Sequence, residues 1–209
     1  MTDLDLAQAA ADIYGPTGDW LAATEIQGVY VALRDTPAGT IVCFRGSVTQ
    51  QDWWRDFEAL PVEHPTLGWC EGGFLEGMND AAARVVTCLP DGPYGIAGHS
   101  LGAARALIAA GLLTAAKRPP ERVLALGCPK PGFQKLSDLI LAGGYPVMCV
   151  RNGPDPVAAV PLTLPDLPYC KPVADTAIHE PPADPADPFA WHHVQLYLDG
   201  VRKLAAIAS

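Results

Sequence analysis

The stretch that decides the fold is YGIAGHSLGAARAL, residues 94–107. A short apolar run ends at Gly98, and a run rich in Ala and Leu begins at Leu101, which predicts a strand followed directly by a helix. Between them, residues 98–102 read GHSLG, a G-x-S-x-G pattern. In a nucleophile elbow the serine occupies a strained turn, and the flanking glycines leave room for a chain that doubles back. The stretch therefore predicts Ser100 as a nucleophile between a strand and a helix.

The composition is that of a globular protein. The chain has 209 residues, of which 49% are apolar and 18% charged, so we expect a single domain over residues 1–209 with its own core. The formal net charge of −9 disfavours nucleic acids and anionic membrane surfaces as partners. No apolar run has the length of an integral membrane span. No Cys/His cluster has metal-ligand spacing, and we predict neither a metal nor a cofactor.

The N-terminal residues are acidic and lack a basic region followed by an apolar one, so no signal peptide is visible. We therefore expect a protein that is cytoplasmic or released without a visible signal peptide. The sequence does not indicate an oligomeric state.

Predicted strands alternate with helix-sized segments along the chain. Besides the elbow, strands are predicted over 28–33, 40–44, 123–127 and 145–151, and helices over 3–13, 74–89, 133–141 and 194–207. This order is typical of an α/β fold with a mostly parallel central sheet flanked by helices. Such sheets place their sites beyond the carboxyl ends of the strands, where Ser47, Ser100 and Asp155 would converge.

Two further segments are predicted to lack regular structure. Residues 61–73 are interpreted as a loop in which His64 is part of a solvated surface. Residues 153–188 are crowded with proline, and the piece 181–188 cannot form a helix or a central strand. We expect the longer segment to be an ordered wrap or a mobile cover over the site.

A serine hydroxyl is a poor nucleophile and needs a base, for which histidine is best suited. A carboxylate should hold the imidazole in the correct tautomer. In α/β-hydrolases the chain order is serine, acid, histidine, and Asp155 followed by His192 or His193 satisfies it. Five other acids remain open, although none follows a predicted core strand directly: Asp138, Asp166, Asp175, Asp184 and Asp187.

Several separated pieces together resemble the class 3 lipase family, the fungal-lipase-like branch of the α/β-hydrolases. The pieces are F-R-G-S at 44–47 with D-W-x-x-D at 52–56, G-H-S-L-G-A-A at 98–104, G-C-P-K-P-G at 127–132, D-P-V at 155–157 with V-P at 160–161, and H-x4-Y at 192–197. They follow one another in the family's order. Two positions depart from its pattern: Glu71 stands where the family usually has histidine, and Trp191 where it often has Asp or Gly.

The resemblance implies an α/β-hydrolase fold and a serine carboxylic-ester hydrolase, a lipase or esterase that works through an acyl-enzyme. It implies Ser100 as the nucleophile, Asp155 as the orienting acid and His192 as the base. It also implies an oxyanion hole made by Ser47 and the backbone N–H of Leu101. The H-x4-Y interval selects His192 over its neighbour.

The sequence specifies the substrate-binding residues and the substrate less closely than the triad. We assign Trp53, Trp54 and His99 to substrate binding, and we expect the substrate to be a small-molecule ester or a lipid. The stretch after Trp54 lacks a long apolar helix, so we expect a short lid region and an esterase or small lipase. Phospholipase A1 or polyester (cutin) hydrolysis would use the same triad. A different class of function, a non-catalytic relative that binds lipid or a protein, also remains open.

Overall fold

The structure is a computed structural model that describes residues 1–16, 19–47 and 60–208. The strands are β1 (Ala22–Ile26), β2 (Val29–Thr36), β3 (Gly39–Phe44), β4 (Pro61–His64), β5 (Gly68–Glu71), β6 (Tyr94–His99), β7 (Arg122–Leu126), β8 (Val147–Asn152) and β9 (Asp175–Ile178). The helices are α1 (Asp3–Asp12), α2 (Gly72–Leu75), α3 (Met78–Cys88), α4 (Leu101–Ala115), α5 (Gln134–Leu141) and α6 (Val194–Ala208).

Seven strands form the central sheet in the order β1-β2-β3-β6-β7-β8-β9. From β3 to β9 every neighbouring pair is parallel, and β1 and β2 join antiparallel at one edge. The predicted α/β fold with a mostly parallel sheet is therefore confirmed. Because parallel strands end at the same edge, the segments after β3, β6, β7 and β8 are neighbours in space.

Helices cover both faces of the sheet, and the alternating side chains of each strand fill two apolar layers. Ile96 packs into the layer on the α3–α4 side, whereas its neighbour Ala97 packs into the layer with α1 and α6. Helix α4 is buried along almost its whole length, as expected for a helix that is apolar all round. The predicted strand–helix unit at residues 94–107 is thus the most enclosed part of the described structure.

The predicted loop over 61–73 is wrong in detail, because the segment forms the β4–β5 hairpin and the short helix α2. The prediction of a solvated His64 is also wrong, since the side chain is only 9% exposed. Its Nδ1 accepts hydrogen bonds from the backbone N–H groups of Thr66 and Leu67, both at 3.2 Å. The turn needs an acceptor for these donors, and the imidazole supplies it.

The proline-rich segment 153–188 contains one edge strand, β9. Piece 181–188 forms neither helix nor strand, as predicted. Lys171 fixes the middle of this segment: its ammonium group donates to the Ala158 carbonyl at 3.0 Å and pairs with Asp175 at 2.6 Å.

The elbow depends on two glycines that pack against backbone. A Cβ on Gly98 would overlap the carbonyl group of Gly102, and a Cβ on Gly102 would overlap the carbonyl oxygen of Phe44. We expect Gly98→Ala to lower the free energy of unfolding by about 1–3 kcal/mol or more, because backbone cannot move aside as a flexible side chain does.

The matched control is Gly73→Ala, whose Cβ would lie 3.4 Å from the Glu71 carboxylate in ordinary contact. We expect it to stay within about 0.5 kcal/mol of the unsubstituted protein. Urea unfolding of both variants checks this, and equal midpoints would contradict the packing argument.

Candidate active site

Ser100 occupies the strained turn between β6 and α4. Its backbone has φ 61° and ψ −131°, a conformation that non-glycine residues adopt only where the surroundings enforce it. The enforcing contacts include a hydrogen bond from its own N–H to the carbonyl of Leu126 at 2.9 Å. The serine side chain therefore begins at the carboxyl edge of the sheet, directly before the N-terminus of α4, whose first N–H groups lack helical partners.

Asp155 and His192 meet at the same edge. The imidazole Nδ1 of His192 lies 2.6 Å from Oδ2 of Asp155, and both side chains are buried, at 1% and 0% exposure. The other carboxylate oxygen accepts the backbone N–H of Val157 at 2.8 Å. Tyr197 donates its hydroxyl to Oδ2 as well. Burial and the neighbouring Asp155 charge raise the pKa of Tyr197 well above its usual range, which keeps this hydroxyl a donor.

This arrangement fixes the tautomer of His192. A carboxylate only accepts, so Nδ1 carries the proton and Nε2 keeps the lone pair. Nε2 is buried and makes no hydrogen bond with any residue in the described ranges. The ring packs over Gly127, where any side chain would collide with its Cε1 and Nδ1 atoms. The geometry thus leaves one basic nitrogen available for a proton.

The segment after β3 lies beside the elbow. A Cβ on Gly46 would come within 3.2 Å of the Cβ of Ser100, and the next residue, Ser47, lines a cavity of about 140 Å³ together with Leu101. Both residues that the resemblance assigns to the oxyanion hole therefore line the same cavity. The assigned substrate-binding residues Trp53 and Trp54 lie outside the described residues.

The structure does not support His99 as a substrate-binding residue, because its side chain is 1% exposed and both ring nitrogens are engaged. Its Nε2 lies 2.8 Å from the carbonyl oxygen of His192, so this nitrogen carries the proton. Its Nδ1 then accepts the hydroxyl of Tyr14 at 3.1 Å, and Tyr14 in turn accepts the backbone N–H of Gly46 at 3.1 Å. One buried chain of hydrogen bonds therefore joins the segment before Ser47 to the backbone of His192.

Two polar residues beside the site were not singled out from the sequence: Tyr14, which is hydrogen bonded to His99, and Asn152, which donates to the carbonyl of Trp191. Neither lies in a position that chain order or spacing singles out, since Tyr14 follows α1 and Asn152 ends β8. The two residues that depart from the family pattern, Glu71 and Trp191, have structural roles. Glu71 caps α2 by accepting the N–H of Phe74 at 2.7 Å, and Trp191 packs its ring on Gly153.

Two of the alternative acids have other partners, and the second histidine lies outside the buried pair of Asp155 and His192. Asp175 pairs with Lys171, Asp138 accepts from Gln134, and His193 is exposed. Among the described residues no group of acidic, histidine or cysteine side chains could hold a metal ion. Within the same ranges, no helix has the length and apolar character that crossing a membrane requires.

The fold and the serine, histidine and carboxylate at the edge of its sheet define the class of protein as an α/β-hydrolase. The family model described as Lipase (class 3) matches residues 41–164. The chain belongs to the class 3 lipase family, as the sequence motifs predicted.

Similar proteins agree with this assignment. The chain is 29% identical over 145 residues to the secreted mono- and diacylglycerol lipase A of Penicillium cyclopium, covering 64% of this chain and 46% of that protein. It is 27% identical over 143 residues to the secreted mono- and diacylglycerol lipase 1 of Fusarium solani, covering 64% and 43%. The chain spans less than half the length of these curated relatives.

Solved structures show the same fold. A mutant form of MDLA from Penicillium cyclopium matches with a TM-score of 0.69 and 23% identity, over 87% of this chain and 81% of that one. The triacylglyceride lipase of Rhizomucor miehei matches with a TM-score of 0.67 and 18% identity, over 85% and 79%. At identities this low the likeness establishes the fold.

The burial of His99 has a consequence for stability. Desolvation first, and repulsion from His192 second, lower the pKa of His99 well below its usual value. A histidine that is neutral when folded takes up a proton on unfolding at low pH, so its contribution to stability is present above about pH 6.5 and is lost as the pH falls. Between about pH 6.5 and 5 the free energy of unfolding should therefore fall less steeply with decreasing pH in His99→Gln than in the unsubstituted protein. The two slopes should differ by up to about 1.4 kcal/mol per pH unit.

Urea titrations at a series of pH values measure this slope. His193→Gln, at the exposed neighbour of His192, is the matched control and should keep the slope of the unsubstituted protein. A slope that is unchanged in His99→Gln would show that this histidine is not the group that binds the proton.

Proposed function

We propose that this protein is a serine carboxylic-ester hydrolase in which Ser100 is the nucleophile, His192 the base and Asp155 the orienting acid. The observation that carries the proposal is the buried 2.6 Å contact of His192 with Asp155, which leaves Nε2 as a lone-pair nitrogen at the edge where the elbow ends. Membership in the class 3 lipase family supports the same assignment.

In the proposed reaction the Oγ of Ser100 attacks the acyl carbon of the ester while Nε2 of His192 takes the hydroxyl proton. The carboxylate of Asp155 stabilises the imidazolium that forms. The N–H of Leu101 and the hydroxyl of Ser47 donate to the oxygen that becomes negative, and each such fixed donor is worth about 10²–10³-fold in rate.

Breakdown of the tetrahedral intermediate returns the proton from Nε2 to the leaving alcohol and leaves an acyl-serine. A water molecule then gives a proton to the same nitrogen and attacks the acyl carbon. The second tetrahedral intermediate collapses, the serine recovers its proton from the imidazolium, and the carboxylic acid leaves. One basic nitrogen therefore serves both halves of the reaction.

Acyl glycerols are the substrate class we favour, because the curated relatives are named mono- and diacylglycerol lipases. Those relatives are also named as secreted, which favours release from the cell over a cytoplasmic location. A series of p-nitrophenyl esters of increasing chain length, beside a glyceride emulsion and a phospholipid, separates the glyceride proposal from phospholipase A1 and polyester hydrolysis.

The decisive experiment is labelling of the folded protein with a fluorophosphonate, followed by mapping of the modified residue. We expect the label on Ser100, and we expect Ser100→Ala to lose both labelling and turnover by about 10⁴-fold or more. Absence of a label on Ser100 would instead support a non-catalytic relative that binds lipid or a protein.

The two adjacent histidines give a matched pair of variants. His192→Ala removes the nitrogen that accepts the proton, so we expect nearly all turnover to be lost. His193→Ala changes an exposed side chain outside the proton transfer, and we expect activity within about tenfold of the unsubstituted enzyme. Turnover of one soluble ester by both variants checks the assignment, and a reversed order of damage would contradict it.

A further inference from the structure

Asn152 is the last residue of β8 and lies three residues before Asp155. Its side chain is 0% exposed, and both of its polar atoms are hydrogen bonded. The amide Nδ2 donates to the carbonyl oxygens of Glu180 at 2.9 Å and Trp191 at 3.1 Å. The amide Oδ1 accepts the backbone N–H of Glu180 at 2.7 Å. A single side chain thus satisfies three backbone groups from two segments that are distant in sequence.

One of those segments carries the base. The carbonyl held by Asn152 belongs to Trp191, the residue directly before His192, and the ring of Trp191 packs on Gly153. The backbone of Asn152 adds a further connection, because its N–H donates to the hydroxyl of Tyr197 at 3.2 Å. Strand β8, which leads into the acid, is therefore fastened directly to the loop that carries the base.

We propose that Asn152 is a positioning residue that sets the distance and orientation of His192 relative to Asp155 by holding the carbonyl of Trp191. This inference rests on the proposed function, because it assigns Asn152 a part in the same triad. Asn152 touches neither the substrate nor the proton in transit. Its contribution is to fix the backbone from which the imidazole projects, and a displacement of about 1 Å at such a point can cost about 10²-fold in rate.

Asparagine is the side chain that fits this position. The site presents two carbonyl oxygens and one N–H, which match the two amide hydrogens and one carbonyl of asparagine. An ionised aspartate at this position would have an oxygen in place of the amide NH₂ group. It could not donate to the carbonyls of Glu180 and Trp191, and its negative oxygen would lie against both of them. A protonated carboxyl would keep one donor and the acceptor, so Asn152→Asp turns the attachment into one that depends on pH.

The ionisable groups near this position include Asp155 on the same connection, His192 on the attached loop and Tyr197 on α6. His179 directly follows β9, and its ring packs against the ring of Trp191 with 5.2 Å between the centroids. Glu180 belongs to the second segment, and its carboxylate pairs with Lys203. Burial and the nearby Asp155 carboxylate both disfavour a second negative charge, so the introduced carboxyl is neutral at lower pH and ionises as the pH rises. The Asn152→Asp variant should therefore lose the attachment of Trp191 progressively on the alkaline side.

The test is the pH profile of kcat and KM for a soluble p-nitrophenyl ester with the full chain and Asn152→Asp. We expect kcat of the variant to fall relative to the unsubstituted enzyme as the pH rises, with a loss that reaches about 10–10²-fold, while KM stays within about twofold. Asn79→Asp is the matched control, because Asn79 is the only other asparagine of the chain and is exposed. Its profile should follow that of the unsubstituted enzyme.

Two results would overturn the inference: a variant profile that superimposes on that of the unsubstituted enzyme, or a loss of equal size at every pH. If Asn152→Asp does not stay folded at alkaline pH, Asn152→Ser replaces it. A fall in kcat with unchanged KM in that variant supports the inference, and an unchanged kcat or a loss confined to KM contradicts it.

A second readout separates this inference from the proposed function. The proton on Nδ1 of His192, held in a short bond to Asp155, should give a far-downfield proton NMR signal in the unsubstituted protein and in Asn79→Asp. We expect Asn152→Asp to lose or shift this signal as the pH rises, whether or not the protein turns over an ester. Absence of turnover by the unsubstituted protein would refute the proposed function, whereas a signal that Asn152→Asp leaves unchanged would refute the positioning role.

Discussion

The buried carboxylate of Asp155 is the constraint on which the rest of the site depends. A charge with no exposure to solvent is costly unless donors surround it, and here the donors come from three places: the N–H of Val157, the imidazole of His192 and the hydroxyl of Tyr197. Each donor is delivered by a different part of the chain. The requirement to satisfy one carboxylate thus joins the segment after β8, the residues before α6 and the first turn of α6 into one unit.

The same edge of the sheet also holds the strained Ser100. Buried hydrogen bonds connect the turn that carries this serine to the backbone of His192. His99, directly before Ser100, donates to the backbone carbonyl of His192 and accepts from Tyr14. The turn that carries Ser100 and the backbone of His192 are therefore joined through the buried side chain of His99. Hydrogen bonds between buried groups in a low-dielectric interior favour one arrangement, because a displacement leaves a buried group without its partner.

The sequence determined the α/β fold, the parallel sheet and the identity of the triad candidates. The reason is local: an apolar run, a G-x-S-x-G turn and an apolar helix are encoded by adjacent residues, and parallel strands bring their carboxyl ends to one edge. Short edge strands escaped prediction, since β1 shows only partial burial and β9 lies within a proline-rich segment. The hairpin at residues 61–71 was missed because each of its strands has only four residues, and because the contact of its turn with the buried imidazole of His64 leaves no mark in the sequence.

Only the tertiary structure shows which acid contacts the imidazole of His192 and which groups support that pair. From chain order alone Asp175 was as available as Asp155, but the fold pairs Asp175 with Lys171 and places Asp155 against His192. The fold also buries His99, which the sequence analysis had assigned to substrate binding. The contacts of His192 with Asp155 and with His99 join residues dozens of positions apart, and no local pattern encodes them. The sequence alone thus indicated the kind of chemistry. Packing across the sheet determined which residues are hydrogen bonded to each other, because that depends on proximity in space.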